Sequence, residues 1–177
     1  MSKRDIDFSK IEPKILTEEI YDSTFNCNKE DTMGLNDFYH REALDYQKER
    51  LGRTFVFIYE GNTVGFVTLS MNRIERLLIR EREDRIPLAQ SQYPATLIGR
   101  LAVCNHLRNM GIGTHICKWA IGHSIELSHK YIACRYVILQ TDEKYKDWYE
   151  KKLGFKLYQV ALNRKGEIDY WLYRKLE

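Results

Sequence analysis

Apolar and polar positions recur along this chain with two different periods, and each change of period marks an element. Leu35, Phe38, Ala43 and Tyr46 lie close to helical spacing and predict a helix from about Gly34 to Leu51. Asp31 or Thr32 is placed to cap its start, and Gly52 to end it. Thr54–Tyr59 and Thr63–Ser70 are dense in β-branched and aromatic residues, which suit a pleated and largely buried surface. The short turn Glu60-Gly61-Asn62 joins them as a hairpin. Leu97–Val103 is an apolar run suited to a central strand, followed by a polar loop over Asn105–Met110.

Gly111 then opens a long amphipathic segment to about Lys130, with Ile112, Ile116, Trp119, Ala120, His123 and Leu127 along one face. Arg135–Thr141 predicts another strand, and Glu143–Leu153 a short helix stopped by Gly154. Phe155–Leu162 and Ile168–Arg174 form a last hairpin, and Phe155 and Trp148 are expected in the core. The sum is an α+β chain, a mixed sheet with helices packed on it.

The stretch from Asn72 to Asp84 interleaves Arg73, Arg76, Arg80 and Arg82 with Glu75, Glu81, Glu83 and Asp84, and Arg85 follows. Such mixed charge predicts a solvated helix face with local ion pairs in preference to a polyanion-binding patch. Pro87 and Pro94 mark an irregular connection after it.

Composition changes this picture little. A length of 177 residues with 44% hydrophobic and 30% charged content predicts one ordered domain over residues 1–177. No linker, repeat or low-complexity segment divides it. No run of about 18 apolar residues predicts a membrane span, and the N-terminus lacks the apolar core of a signal peptide, so a cytoplasmic protein is expected. A net charge of +3 tolerates an anionic ligand without demanding a nucleic acid. Cys27, Cys104, Cys117 and Cys134 have no zinc-site spacing and are expected as reduced thiols, so no metal is called for.

The chemistry concentrates where the central strand runs through Arg108-Asn109-Met110-Gly111-Ile112-Gly113 into a helix. A helix start leaves its first N–H groups without internal partners and carries a partial positive charge. Glycine lets the backbone close on a ligand, so the segment suits an anion, with pyrophosphate the natural guest and Arg108 placed to add a charge-assisted contact. It lacks a glycine of the dinucleotide-binding fingerprint, and no Gly-Lys-Ser/Thr follows as in a nucleotide-binding P-loop.

Leu101-Ala102-Val103, then Arg108-x-x-Gly111-x-Gly113, then Trp148-Tyr149-Glu150-Lys151-Lys152-Leu153-Gly154-Phe155 together resemble the GNAT acetyltransferase superfamily, over roughly Thr96–Tyr158. Phe25-Asn26-Cys27, Leu35-Asn36-Asp37-Phe38 and Tyr93-Pro94 with Ile98-Gly99-Arg100-Leu101-Ala102-Val103 resemble a branch that includes toxins acetylating aminoacyl-tRNA. Asn28 departs from that branch's usual Gly, and Cys104 from its usual Asp. The resemblance implies the GNAT fold: a single mixed, mostly antiparallel sheet with helices on both faces.

It also implies acetyl-CoA as co-substrate and direct transfer of the acetyl group to a primary amine. Leu101, Ala102 and Val103 would meet the pantetheine arm and thioester, and Arg108, Asn109, Met110, Gly111, Ile112, Gly113 and Thr114 the pyrophosphate. The N–H of Val103 would stabilise developing oxyanion charge. Tyr149 would act as general acid, its other reading being an anchor for a short helix. No general base is assigned; His106 and His123 are candidates, and His123 is expected on an apolar helix face. The acceptor is a small-molecule or macromolecular amine. Charged tRNA and an antitoxin are partners within the toxin branch, homodimers occur in the superfamily, and an inactive acyl-CoA-binding module is the competing class.

Overall fold

The computed structural model describes residues 6–29, 31–79, 86, 90–163 and 165–177. Among these, seven strands form one mixed sheet, whose spatial order is the strands beginning at Glu12, Arg53, Asn62, Gln92, Tyr136, Ile168 and Lys156. The chain divides into two compact units, one running through Leu69 and adding Arg100–Cys117, the other comprising Ser70–Gly99 and Lys118–Glu177.

In the first unit, β1 (Glu12–Ile15) pairs antiparallel with β2 (Arg53–Tyr59), which pairs antiparallel with β3 (Asn62–Glu75) up to Leu69. The β2–β3 hairpin turns on Glu60 and Gly61, both left-handed at φ 48° and 80°. Two consecutive positive-φ residues match the right-handed twist of the flanking strands, which is why Gly stands there. β1 was not legible in the sequence: its four residues, Pro13 among them, are all exposed, as an edge strand permits.

The expected helix at 34–51 is helical with a change of pitch inside it. α1 (Leu35–Asp37) runs into a π-helical turn (Phe38–Glu42) and then α2 (Ala43–Lys48). Asp31 caps the start as expected, one carboxylate oxygen accepting from Leu35 N–H at 2.9 Å and the other from Asn36 N–H at 2.8 Å. The helix stops at Lys48, before Gly52, and Arg50 is left-handed at φ 58°. Phe38 and Tyr39, adjacent on the π turn, are both buried and pack with Phe25 and Phe66. These rings, with Leu16, Val56 and Ala102, form the core of this unit.

In the second unit the early part of β4 (Gln92–Val103) pairs parallel with β5 (Tyr136–Thr141). β7 (Ile168–Lys175) pairs antiparallel with both β5 and β6 (Lys156–Leu162). The core is built on Tyr93, Tyr136, Ile138 and Tyr173. α4 (Glu143–Leu153) has the expected ends: Asp142 accepts from Tyr145 N–H, and Gly154 at φ 68° donates to the Glu150 carbonyl at 3.2 Å.

Three local expectations change. Asn72–Glu75 extend β3 and Arg76–Leu78 form a 3-10 turn, so the described part of the charged stretch is not a helix face. Arg80, Arg82, Arg85, their acidic neighbours and Pro87 lie outside the described residues. Pro94 sits within β4, where its carbonyl still accepts from Arg135 N–H at 2.9 Å. Trp148 is half-buried and outside the core, whereas Phe155 is buried as expected.

α3 (Ile112–Lys130) buries Ile112, Ile116, Cys117, Ala120, Ile121 and Ser124. The buried stripe is therefore turned from the one predicted, leaving Trp119 and His123 half-buried and stacked on each other at 4.9 Å. All four cysteines are buried free thiols.

Candidate active site

The end of β4 alternates as a strand must: Ala102 and Cys104 are buried, and Leu101 and Val103 half-buried. The Cys104 N–H donates to the Val64 carbonyl of β3 at 2.9 Å. That approach is close enough to exclude a side chain at Gly65. A Cβ there would lie 2.5 Å from Ile116 Cδ1 and 2.6 Å from the Ala102 carbonyl oxygen. In the sequence, Gly65 carries the signal of an isolated glycine within a strand pattern, which marks a close backbone approach.

After a 3-10 turn at Asn105–Leu107, Arg108 is extended, Asn109 is left-handed at φ 62° and Gly111 left-handed at φ 87°. Asn is among the few residues that accept this region, and successive reversals of backbone hand form concave sets of N–H groups. The first bond of α3 runs from His115 N–H to the Gly111 carbonyl at 3.0 Å. The N–H groups of Ile112, Gly113 and Thr114 precede it and have no acceptor within the helix. Ile112 is fully buried and anchors this turn, while Asn109 and Gly111 stay exposed. The loop thus offers backbone donors and a helix start to an anion at the surface.

Arg108 has a protein partner. Its Nη2 donates to the Cys27 carbonyl at 2.9 Å. Asn105 fastens the same segment: its Nδ2 donates to Asn26 Oδ1 at 2.8 Å and Asn28 Oδ1 at 3.0 Å, and its Oδ1 accepts from Lys29 N–H at 3.0 Å. Asn28, the departure from the branch pattern, is therefore part of this seam. Burial pushes the Cys27 thiol up to about 12, with the Asp31 carboxylate adding to the shift and Arg108 opposing it. Cys104 Sγ lies 3.3 Å from His106 Nδ1, and His106 itself is exposed.

The Phe8 ring lies 3.1 Å from where a Cβ on Gly111 would stand and stacks on His115 at 5.3 Å. Burial lowers the pKa of His115 below its usual value.

The structure therefore brings Leu101, Ala102, Val103 and residues 108–114 together in the first unit. Tyr149 belongs to the second, buried on α4 with its ring edge-on to Trp148 at 4.5 Å and to Phe155 at 5.7 Å. Among the described residues, no group of three or more His, Cys, Asp or Glu is arranged to hold a metal, and no helix is long and apolar enough to cross a membrane.

A mixed sheet whose central strand runs through a turn of alternating backbone hand into a helix start is the architecture of this site. Residues 17–155 match the model of the acetyltransferase (GNAT) family, and the chain belongs to that family. Solved structures share the fold. AtaT complexed with acetyl-methionyl-tRNAfMet is 20% identical with a TM-score of 0.74, over 90% of this chain and 93% of that one. A Tyr→Phe mutant of KacT is 18% identical with a TM-score of 0.77, over 94% and 95%. AtaTR bound with acetyl-CoA is 20% identical with a TM-score of 0.70, over 95% of each chain. None of the curated proteins matches the sequence.

Proposed function

We propose that this acetyltransferase uses acetyl-CoA to acetylate the α-amino group of an aminoacyl-tRNA. The observation that carries the cofactor assignment is the left-handed pair Asn109 and Gly111 leading into three helix N–H groups without internal acceptors. The acceptor assignment is supported by the fold shared with AtaT, which was solved with acetyl-methionyl-tRNAfMet, and by the branch motifs around Phe25, Asn36 and Tyr93.

Acetyl-CoA supplies an acyl group activated as a thioester. The N–H groups at 109–114 would hold its pyrophosphate, and the edge of β4 at Leu101–Val103 would receive its pantetheine arm. As the α-amine nitrogen bonds to the thioester carbon and the C–S bond breaks, the Val103 N–H would stabilise the charge developing on the thioester oxygen, and the amine's surplus proton would pass to solvent. On the family pattern, the Tyr149 hydroxyl would act as the general acid that protonates the departing sulfur. An α-amine, with an ordinary pKa near 7.7, is substantially neutral at physiological pH, so the chemistry does not require a strong base. AtaT has also been solved with the C-terminus of the antitoxin AtaR, which makes a small antitoxin the protein partner to seek.

The test is calorimetric titration with acetyl-CoA, followed by acetylation of charged tRNA and of free amines. Micromolar binding with label transferred to the aminoacyl moiety is expected. Label on free amines but not on tRNA would replace the acceptor. No binding by folded protein would leave an inactive module of this fold.

A further inference from the structure

Phe8 stands in a 3-10 turn at Phe8–Lys10, ahead of residues 17–155 that match the family model. The turn is independently fixed: Asp7 accepts from Ser9 N–H at 3.1 Å and from Ser9 Oγ at 2.6 Å. Phe8 remains 37% exposed, so burying its own surface is only part of what holds it. The tip of its ring points at Gly111, Cζ at 3.1 Å from the missing Cβ and the two Cε atoms at 3.8 and 3.9 Å. One face stacks on His115, which Phe57 meets edge-on at 6.4 Å. A single side chain thus bridges the left-handed glycine of the loop and the first turn of α3.

Glycine enters the left-handed region easily but leaves it as easily, and an unrestrained loop would lose that freedom on binding. We propose that Phe8 is a positioning residue for the cofactor loop. Its ring packs where a Gly111 side chain would stand and ties the loop to His115, so the N–H groups at 111–114 are set before the ligand arrives. Fixing the binding conformation in advance increases affinity without adding a contact. The lack of a side chain at Gly111 therefore serves two ends: it permits φ 87° and makes room for Phe8.

This inference rests on the pyrophosphate reading of the loop, and the experiment separates the two. Full-length wild type, Phe8→Ala and Phe8→Tyr are titrated with acetyl-CoA, with thermal melting alongside. Phe8→Ala is expected to weaken affinity about tenfold, corresponding to roughly 1.4 kcal/mol, while Phe8→Tyr binds as wild type. The rate at saturating acetyl-CoA should stay within about twofold, since a positioning change acts on binding.

Gly111→Ala adds a second readout. Its penalty on acetyl-CoA affinity should be smaller in the Phe8→Ala background, where the ring no longer opposes the methyl group. A wild type that does not bind acetyl-CoA overturns the cofactor reading. A wild type that binds, together with Phe8→Ala of equal affinity or equal Gly111→Ala penalties in both backgrounds, overturns the role of Phe8 alone.

Discussion

Arg108 donates to the backbone carbonyl of Cys27 across 2.9 Å, joining the start of the loop that leads to Gly111 to a segment 81 residues earlier. In the sequence this arginine stands where an anion contact is expected; in the fold one of its nitrogens is committed to a buried neighbour. Asn105 ties Asn26, Asn28 and Lys29 to the same turn, so the loop is gripped on both sides of the 3-10 helix. Arg108→Ala should leave the Cys27 carbonyl without this donor and cost about 1–3 kcal/mol. Urea unfolding checks this, and Arg108→Ala equal to wild type in midpoint would show that the bond contributes nothing.

Tyr149→Phe removes one oxygen from a buried ring whose aromatic contacts are all retained. Acetyl-CoA affinity should be unchanged, and kcat should fall by roughly 10²–10⁴-fold, the span typical for loss of a general acid. Stopped assays under saturating substrates measure the drop. Full activity in the mutant would return Tyr149 to a purely structural role.

Gly65→Ala should destabilise the protein by roughly 1–3 kcal/mol, because its methyl group meets both Ile116 and the Ala102 carbonyl. Displacing that carbonyl also disturbs the strand edge beside Val103, so weaker acetyl-CoA binding is expected in parallel. Thermal melting and calorimetry report the two effects separately.

Stability should decline on the alkaline side. The Cys27 thiol is pushed by burial up to about 12 from 9.0, and burial likewise raises Cys134, Tyr39 and Tyr158. Each group keeps its proton in the fold after the unfolded chain has lost it. Its contribution is therefore complete below the unfolded pKa and is lost as pH rises through the folded one. For Cys27 the window runs from about pH 9 to about 12. Unfolding free energies across that range should fall less steeply in Cys27→Ala, and an identical slope would refute the assignment. At pH 8 native Cys27 should also resist iodoacetamide and react only in denaturant.

Asp31 caps two N–H groups of the first helix with its two carboxylate oxygens. Asp31→Ala should cost about 1 kcal/mol, read as a lower urea midpoint. Asp31→Asn should recover only part of it, since one oxygen becomes a donor amide.

The elements legible in the sequence were those whose signals are local. Gly154 marks the end of α4 because a C-cap is a contact over three or four residues, and Glu60-Gly61 marks the hairpin because positive φ is a property of the residue itself. The strand, loop and helix start around Gly111 were likewise visible, and with them the family.

Only the tertiary structure decided the rest, because each decision depends on groups remote in sequence. β1 is too short and polar to show a period, and exists because β2 offers it an edge. Pro94 remains in β4 because its carbonyl, the one backbone group it keeps for hydrogen bonding, meets Arg135. The buried stripe of α3 runs through Cys117, Ile121 and Ser124 because packing, and not hydrophobicity alone, sets which side faces inward. Arg108 turns to Cys27, and Phe8 to Gly111, for the same reason: a hydrogen bond or ring contact across 80 or 100 residues leaves no pattern in the intervening chain, only a fit once the chain has folded.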